Sequence, residues 1–236
     1  MPDLAYAIDP TVFTIHPGYR RGVVVVRGAD NVRSGDALER LLREEEARLR
    51  ERLRGSNVAD HPAIAAWRDA YRRFGAKPSE HRSSIEAMTR RVVKPDRLPI
   101  INPLVDIGNI VSLRYGLPAG VHPLPDAGAR LALRMTTEGD TFQPPDGGPI
   151  EIPPPGEIVF CREHDVLTRR WTWRQAAGTQ TLPETTAVFF NVDGLPPVSD
   201  ADVRSAMRDI AALVHEHTGG DVATSFVLSA AQPSAG

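Results

Sequence analysis

The sequence has a single cysteine, Cys161, in 236 residues, and this scarcity excludes two classes of architecture. One thiol cannot form an internal disulfide, and it cannot build a zinc site of the cysteine-cluster type. The seven histidines show no ligand spacing either, since His215 and His217 stand two apart on a predicted helix and point to different faces. We therefore predict no metal and no cofactor, in a chain suited to a reducing cytoplasm.

Long apolar runs are also missing. A helix that spans a bilayer needs about 20 consecutive apolar residues, and no stretch of this chain approaches that length. The first ten residues, MPDLAYAIDP, lack the basic segment and apolar run of a secretory signal. These absences predict a soluble, cytoplasmic protein without a membrane partner.

The chain has little net charge, with 28 Lys and Arg against 30 Asp and Glu. Contact with nucleic acid would therefore depend on a local basic surface and not on a global positive field. The segment FGAKPSEHR resembles a helix-turn-helix loosely, but Trp67, Tyr71 and Phe74 are predicted to face the core, which leaves no exposed reading helix. We expect no DNA partner.

Common catalytic motifs are absent as well. The sequence has no glycine-rich phosphate loop, no HExxH and no GxSxG. Nucleotide-binding, zinc-protease and serine-hydrolase classes thereby lose their usual support.

The first half of the chain predicts a strand followed by helices. The β-branched run GVVVV at 22–26 predicts a buried strand. Ser34, Asp60 and Ser79 are predicted to cap three successive helices, each with apolar residues at helical spacing. A fourth helix is predicted over 103–116, with Pro103 in its first turn and Gly116 at its end.

The second half is predicted to be rich in strands. The short segments LALRM, EIVFC, RRWTW and TAVFFNV are separated by turns that contain glycine and proline. From Ser199 the chain predicts a closing helix, and the tail SAAQPSAG is predicted to be frayed. Helices first, then a sheet region and a final helix indicate an α+β fold in one domain over 1–236.

Two stretches, 71–91 and 101–126, resemble the B3/4 editing domain of the bacterial phenylalanyl-tRNA synthetase beta subunit, particularly its free-standing relatives. The family has a VDI-N-V-L-G-P helix followed by a histidine-bearing turn. The matching residues here are Val105, Asp106, Ile107, Asn109, Val111, Leu113, Gly116, Pro118 and His122. The resemblance covers roughly 65–195, with 1–60 and the helix at 199–218 as elaborations. It implies a three-layer α+β fold around a small amino-acid pocket.

The resemblance also implies a function. It predicts a trans-editing aminoacyl-tRNA deacylase, which hydrolyses the ester at the acceptor end of a mischarged tRNA. Canavanyl-tRNA for arginine is the suggested substrate, because some free-standing relatives clear canavanine, an arginine mimic. Two alternatives stay open: a non-catalytic tRNA- or RNA-binding module, and a hydrolase or binding protein for a free modified amino acid.

The predicted catalytic residues are His122, Asn109 and Asp106. His122 matches the editing histidine of the family, and its alternative is a turn histidine bonded to backbone. Asp106 and Asn109 lie one turn apart on the predicted helix, where they face the pocket or satisfy neighbouring N–H groups. Arg82 and Glu86 are predicted as an ion pair at i,i+4 spacing beside the substrate site.

The segment TRRWTWRQ at 168–175 departs from the glycine-rich stretch of the synthetase domain. If it is a strand, its side chains divide between two faces. One face then has Arg169, Trp171 and Trp173, and the other has Arg170, Thr172 and Arg174. We expect these arginines and tryptophans to contact the tRNA end, the alternative being a packed tryptophan pair with solvated arginines.

The pocket glutamate of the synthetase has no clear acidic counterpart in VFFNVDGL, where Asn191 and Asp193 are the nearest polar residues. That glutamate helps to select tyrosine in the family, so we expect a pocket that is not built for tyrosine. Asp193 or Glu138 is instead predicted to meet a guanidinium-like group.

Overall fold

Two β-sheets organise the protein, as seen in a computed structural model that describes residues 4–94 and 96–236. Within these ranges the helices are α1 Pro10–Ile15, α2 Asp36–Arg52, α3 Pro62–Arg73, α4 Ser84–Val93, α5 Pro103–Tyr115 and α6 Asp200–Thr218, with a short 3-10 helix at Val58–Asp60. The strands are β1 Ala5–Ile8, β2 Arg20–Arg27, β3 Ala119–Pro123, β4 Arg130–Met135, β5 Ile158–Arg162, β6 Asp165–Arg169, β7 Arg174–Gln175, β8 Val188–Gly194, β9 Asp221–Leu228 and β10 Ser234–Ala235. The predicted α+β class is confirmed.

The larger sheet has the order β10-β1-β4-β5-β6-β7, and the smaller one has the order β3-β8-β2-β9. Strands β1 and β4 are parallel, whereas all other neighbours are antiparallel. No helix in the described ranges is long and apolar enough to cross a membrane.

Strand β2 separates two hydrophobic cores, because successive side chains of a strand point to opposite faces. Val24 and Val26 belong to the core between the smaller sheet and helices α2, α5 and α6. Val23 and Val25 face the second core, which fills the space between the two sheets and includes Trp171. The result is three layers, and the predicted strand at GVVVV is confirmed with all four valines buried.

The structure moves the predicted starts of three helices. Helix α2 begins after Gly35, since the hydroxyl of Ser34 donates to Asp106 instead of capping the helix. Helix α3 begins after His61, because Asp60 lies in the preceding 3-10 turn. Helix α4 begins after Ser83, whose Oγ accepts a hydrogen bond from the N–H of Glu86.

The chain end also differs from prediction. Helix α6 itself is confirmed, with a capping box between Ser199 and Asp202. Strand β9 follows it, however, and the segment SAAQPSAG is not frayed. Its backbone turns between Ser229 and Gln232, and β10 then pairs with β1. This pairing gives the terminal backbone groups hydrogen-bond partners that the sequence pattern did not reveal.

Candidate active site

Strand β3 positions the candidate histidine. Helix α5 ends at Gly116, whose φ of +68° lets the chain turn back along the helix. The N–H of Ala119 then donates to Oγ of Ser112. A Cβ on Gly108 would lie 2.8 Å from the carbonyl oxygen of Ala119, so only glycine permits this approach of α5 to β3. The close packing holds His122 in the middle of the molecule.

His122 is buried between two aromatic rings. Its ring stacks on Phe189 with centroids 5.3 Å apart, and it meets Phe160 edge-on at the same centroid distance. Burial and the positive charge of Arg21 lower the pKa of His122 to about 3. The imidazole is therefore neutral near pH 7.

Gln175 determines which ring nitrogen of His122 has the proton. The side-chain Nε2 of Gln175 donates to the carbonyls of Val121 and Thr179. Because both partners are acceptors, the amide group is oriented with its nitrogen, and not its oxygen, at this position. The same nitrogen lies 3.0 Å from Nδ1 of His122. The two amide hydrogens are shared among these three acceptors, and an N–H on Nδ1 would face another donor, so this contact favours the tautomer with the proton on Nε2. His122 thus presents an N–H donor at Nε2, which no described side chain occupies.

His122 lies in the wall between two cavities. The larger cavity, about 420 Å³, extends past Phe189 and Leu167 toward Arg162. The smaller cavity, about 150 Å³, extends past Gly120 to Asn191 and Asp193. A Cβ on Gly120 would lie 4.0 Å from Nε2 of His122, so this nitrogen is on the side of the smaller cavity.

A buried ionic network forms the floor of the smaller cavity. Both carboxylate oxygens of Asp193 accept from Arg21, at 2.7 and 3.1 Å. Tyr19 donates to the same carboxylate, and Tyr6 joins Arg21 to Oδ1 of Asn191. Asp193 was predicted to meet a substrate guanidinium, but the protein's own Arg21 occupies that position.

The segment 170–173 is a tight turn and not the predicted strand. Arg170 and Trp171 have φ of +45° and +66°, in the left-handed region. The turn buries Trp171 in the core, where its ring meets Tyr19 and Trp67 edge-on. Trp171 also lines the smaller cavity, together with the half-buried Trp173. Arg170 stacks on it, with the guanidinium 4.4 Å from the ring centroid.

Arg169 is also withdrawn from solvent. It forms a buried, bidentate ion pair with Glu157 and a partly exposed one with Glu151. Trp171 and Arg169 therefore cannot contact a tRNA end directly, because both are buried in the protein. Of this segment, the partly exposed residues that line the smaller cavity are Trp173, Arg174 and Gln175.

Other predicted site residues lie away from both cavities. Asp106 is buried, where its carboxylate accepts from Ser34 and from the N–H of Ile101. Its neighbour Asn109 is half-buried on α5 and lines neither cavity. Glu138 is exposed in the turn after β4.

The predicted ion pair of Arg82 with Glu86 is wrong. Arg82 precedes the cap of α4, so it is outside the helix and exposed. Glu86 is buried and pairs with Arg68 and Arg90 instead. The i,i+4 pair on this helix is thus between Glu86 and Arg90.

Three contributors to the site were missed at the level of sequence. Gln175, Arg21 and Thr168 all line the smaller cavity. An arginine next to a run of valines at 23–26 was the one available signal, because a charge in a buried strand requires a partner. In the described residues no group of three or more His, Cys, Asp or Glu is arranged to hold a metal ion.

Comparison with known proteins gives a family for this arrangement. Among solved structures, the N-terminal fragment of the phenylalanyl-tRNA synthetase beta-subunit from Pyrococcus horikoshii is similar, at 11% identity and a TM-score of 0.48. The similarity covers 93% of this chain and 50% of that one, so the chain spans about half the length of the fragment. Curated protein sequences give no match. A family model described as the B3/4 domain matches residues 66–219, well over half of the sequence, and the chain therefore belongs to the B3/4 domain family.

Proposed function

We propose that the protein is an aminoacyl-tRNA deacylase that acts in trans on the ester of a mischarged tRNA. One observation supports this proposal above the others: a neutral histidine presents an N–H donor where two cavities meet. An aminoacyl ester also has two unequal halves, the amino acid and the terminal nucleoside, joined at one carbonyl group.

His122 suits the role of an oxyanion donor better than that of a base. A group with a pKa near 3 accepts a proton poorly at neutral pH. Its Nε2–H can instead stabilise the negative charge that develops on the carbonyl oxygen as water attacks. Water forms the new C–O bond, the bond to the ribose oxygen breaks, and that oxygen takes up a proton from water. The neighbouring ribose hydroxyl of the substrate can orient the attacking water.

The two cavities suggest how the substrate is divided. The larger cavity falls within the range of roughly 300–1,000 Å³ that is usual for small-molecule sites, and it suits the terminal nucleoside. Arg162 lies at this cavity, where it pairs with Asp165 at 3.1 Å, and its side chain is 45% exposed, so its remaining N–H groups can contact a phosphate. We therefore assign the aminoacyl group to the smaller cavity.

Canavanyl-tRNA for arginine is the substrate that the family resemblance suggests. The smaller cavity offers a guanidinium no free carboxylate, because Asp193 is already paired with Arg21. Canavanine therefore belongs in a substrate panel as one candidate among several.

Deacylation of a panel of mischarged tRNAs tests the proposal. We expect the wild type to release one class of amino acid faster than spontaneous hydrolysis and to spare correctly charged tRNA. His122→Ala is expected to reduce the rate by about 100-fold, as for other lost oxyanion donors. His215→Ala is the matched control, since that side chain is 79% exposed and distant in sequence from the site.

Two other outcomes would overturn the proposal in different ways. If tRNA binds but no member of the panel is released, the protein is a non-catalytic tRNA-binding module. If tRNA is neither bound nor deacylated, a free modified amino acid becomes the better candidate ligand.

A further inference from the structure

Gly120 leaves a gap between two polar side chains of the smaller cavity. In the pairing of β3 with β8, Gly120 lies opposite Asn191, and His122 lies opposite Phe189. Because alternate residues of a strand share a face, His122 and Asn191 project to the same side of the sheet as Gly120. They are diagonal neighbours, whose Cα atoms are usually roughly 7–8 Å apart. A Cβ on Gly120 would meet only Nε2 of His122, at 4.0 Å, so the space above this glycine is open.

The buried network beneath the cavity determines which end of the Asn191 amide is free. Nη1 of Arg21 donates to the hydroxyl oxygen of Tyr6 at 2.6 Å, because an arginine side chain has no acceptor. Tyr6 then has one hydrogen of its own, which it donates to Asn191 at 3.0 Å. The atom of Asn191 that accepts this hydrogen is the oxygen Oδ1, so the nitrogen Nδ2 is at the free end of the amide.

Two N–H donors are consequently open to the smaller cavity. Asn191 and His122 both line it. No described residue accepts from Nδ2 of Asn191 or from Nε2 of His122, yet neither atom is among the fully buried polar atoms that lack a partner. Both nitrogens therefore have accessible surface, and a ligand in the cavity can reach them.

The two donors are held in place by different parts of the protein. Gln175 contacts the imidazole of His122 at Nδ1, on the other side of the ring from the gap. Tyr6 holds the amide of Asn191 from below. Donors that are fixed before the substrate arrives need no reorganisation as charge develops, and this preorganisation is the source of their catalytic effect.

We propose that Asn191 is a catalytic residue that forms, together with His122, a two-donor oxyanion site above Gly120. This inference rests on the proposed deacylase function, to which it adds the second donor. Water adds to the ester carbonyl carbon as the π electron pair moves onto the carbonyl oxygen, and one proton of that water passes to solvent. Nδ2–H of Asn191 and Nε2–H of His122 both donate to this oxygen. The electron pair then returns, the bond to the ribose oxygen breaks, and the ribose oxygen takes up a proton from water.

Asn191→Leu tests the inference, because it removes the donor with little change of shape. Bulk tRNA is charged by an acylating ribozyme with alanine, serine, valine, tyrosine or canavanine, and the acyl group that the wild type releases fastest is then used. Rates are corrected for spontaneous hydrolysis, and thermal unfolding shows that each variant is folded. We expect kcat to fall by about 100-fold or more with KM unchanged, because the hydrogen bond strengthens only as charge develops on the oxygen.

Asn191→Asp separates a catalytic role from a structural one. It preserves the shape of the side chain and the acceptor for Tyr6, so a structural role predicts a milder effect than that of Asn191→Leu. An oxyanion donor predicts the opposite order, because a carboxylate repels the developing negative charge. We expect Asn191→Asp to be the slower variant near neutral pH. Asn57→Asp is the matched control, since it makes the same chemical change at an exposed residue outside both cavities.

The outcomes separate this inference from the function on which it rests. An active wild type whose kcat is retained in Asn191→Leu, or whose KM alone rises, would overturn the catalytic role of Asn191 and leave the deacylase function intact. The same conclusion follows if Asn191→Asp is the faster of the two variants. No release of any of the five acyl groups by the wild type would refute both.

Discussion

Burial of His122 has a thermodynamic cost that depends on pH. The folded protein disfavours the imidazolium through desolvation and through the charge of Arg21. The unfolded chain has no such constraint, and its histidine titrates near 6.5. Between pH 6.5 and about 3 the unfolded state therefore binds a proton that the folded state does not. His16, whose pKa is lowered to about 4 by burial, acts in the same direction.

Stability should consequently fall as the pH decreases below 6.5. Each such histidine contributes up to about 1.4 kcal/mol per pH unit to the free energy of unfolding. We expect His122→Gln, which cannot titrate, to show a shallower decline than the wild type by about this amount. Urea unfolding at several pH values measures both slopes. Parallel slopes would mean that His122 is protonated in the folded protein.

Gly120 gives a way to obstruct the site without unfolding it. Its φ is outside the left-handed region, and a Cβ there would meet Nε2 of His122 at 4.0 Å with no closer contact. Gly120→Ala should place a methyl group where the ester carbonyl must approach. We expect kcat/KM for deacylation to fall by about 10- to 100-fold with thermal stability preserved. Gly148→Ala serves as the control, since it has ordinary contacts and lies outside both cavities.

His122 was predicted as a site residue from its match to a family pattern, and the fold then showed that it is buried. Its partner Gln175 was not predicted, because it lies 53 residues away in the sequence and belongs to no motif. The pairing of Arg21 with Asp193 spans 172 residues. Such contacts arise from strand pairing, which local patterns do not encode.

At the scale of elements, the turn at 170–173 illustrates how packing overrides local pattern. Alternation of arginine and tryptophan predicts a strand, yet the chain reverses after Arg169. The N–H of Trp171 donates to Ile158, and its indole N–H donates to Tyr19. These contacts, together with burial of a large ring, offset two left-handed residues that cost of order 1–3 kcal/mol each.

The contact between α5 and β3 is a second element whose geometry depends on one residue. A Cβ at Gly108 would lie 2.8 Å from a backbone oxygen, which cannot move aside as a flexible side chain can. Gly108→Ala should therefore displace β3 and the histidine on it. We expect a loss of about 1–3 kcal/mol in unfolding free energy, measured by urea titration, together with reduced deacylation. An unchanged free energy of unfolding in this variant would contradict the prediction, because it would show that α5 and β3 can move apart at no cost.

At the scale of the whole molecule, a net charge of -2 limits how the proposed tRNA substrate would be bound. The cationic side chains at the cavities with notable exposure are Arg162 and Arg174, at 45% and 28%. Two phosphate contacts on a single strand give a salt slope of about -1.4. Affinity should thus fall only about sevenfold between roughly 50 and 200 mM salt. A steeper decline in a binding titration would indicate contact with the body of the tRNA.

The α+β class was predictable, because helices and strands differ in the period of their apolar residues and several boundaries have caps or glycines. The order of the strands was not. Residues 1–60 were predicted to be an elaboration, yet they supply β1 and β2, and β2 lies between β8 and β9 in the smaller sheet. The tail was predicted to be frayed, but its strand β10 pairs with β1 at the edge of the larger sheet.

The place of β2 also affects how the protein reaches its folded state. This strand is synthesised early, whereas both of its neighbours, β8 and β9, emerge in the last quarter of the chain. Until β8 and β9 have been synthesised, the valines of β2 lack their strand partners and are exposed to chaperones or to other chains. Pairing over such distances is slow, in the range of milliseconds to seconds for comparable topologies. A chain cut to residues 66–219 would lose β2 and Arg21 together, leaving Asp193 with a buried charge and no counter-ion.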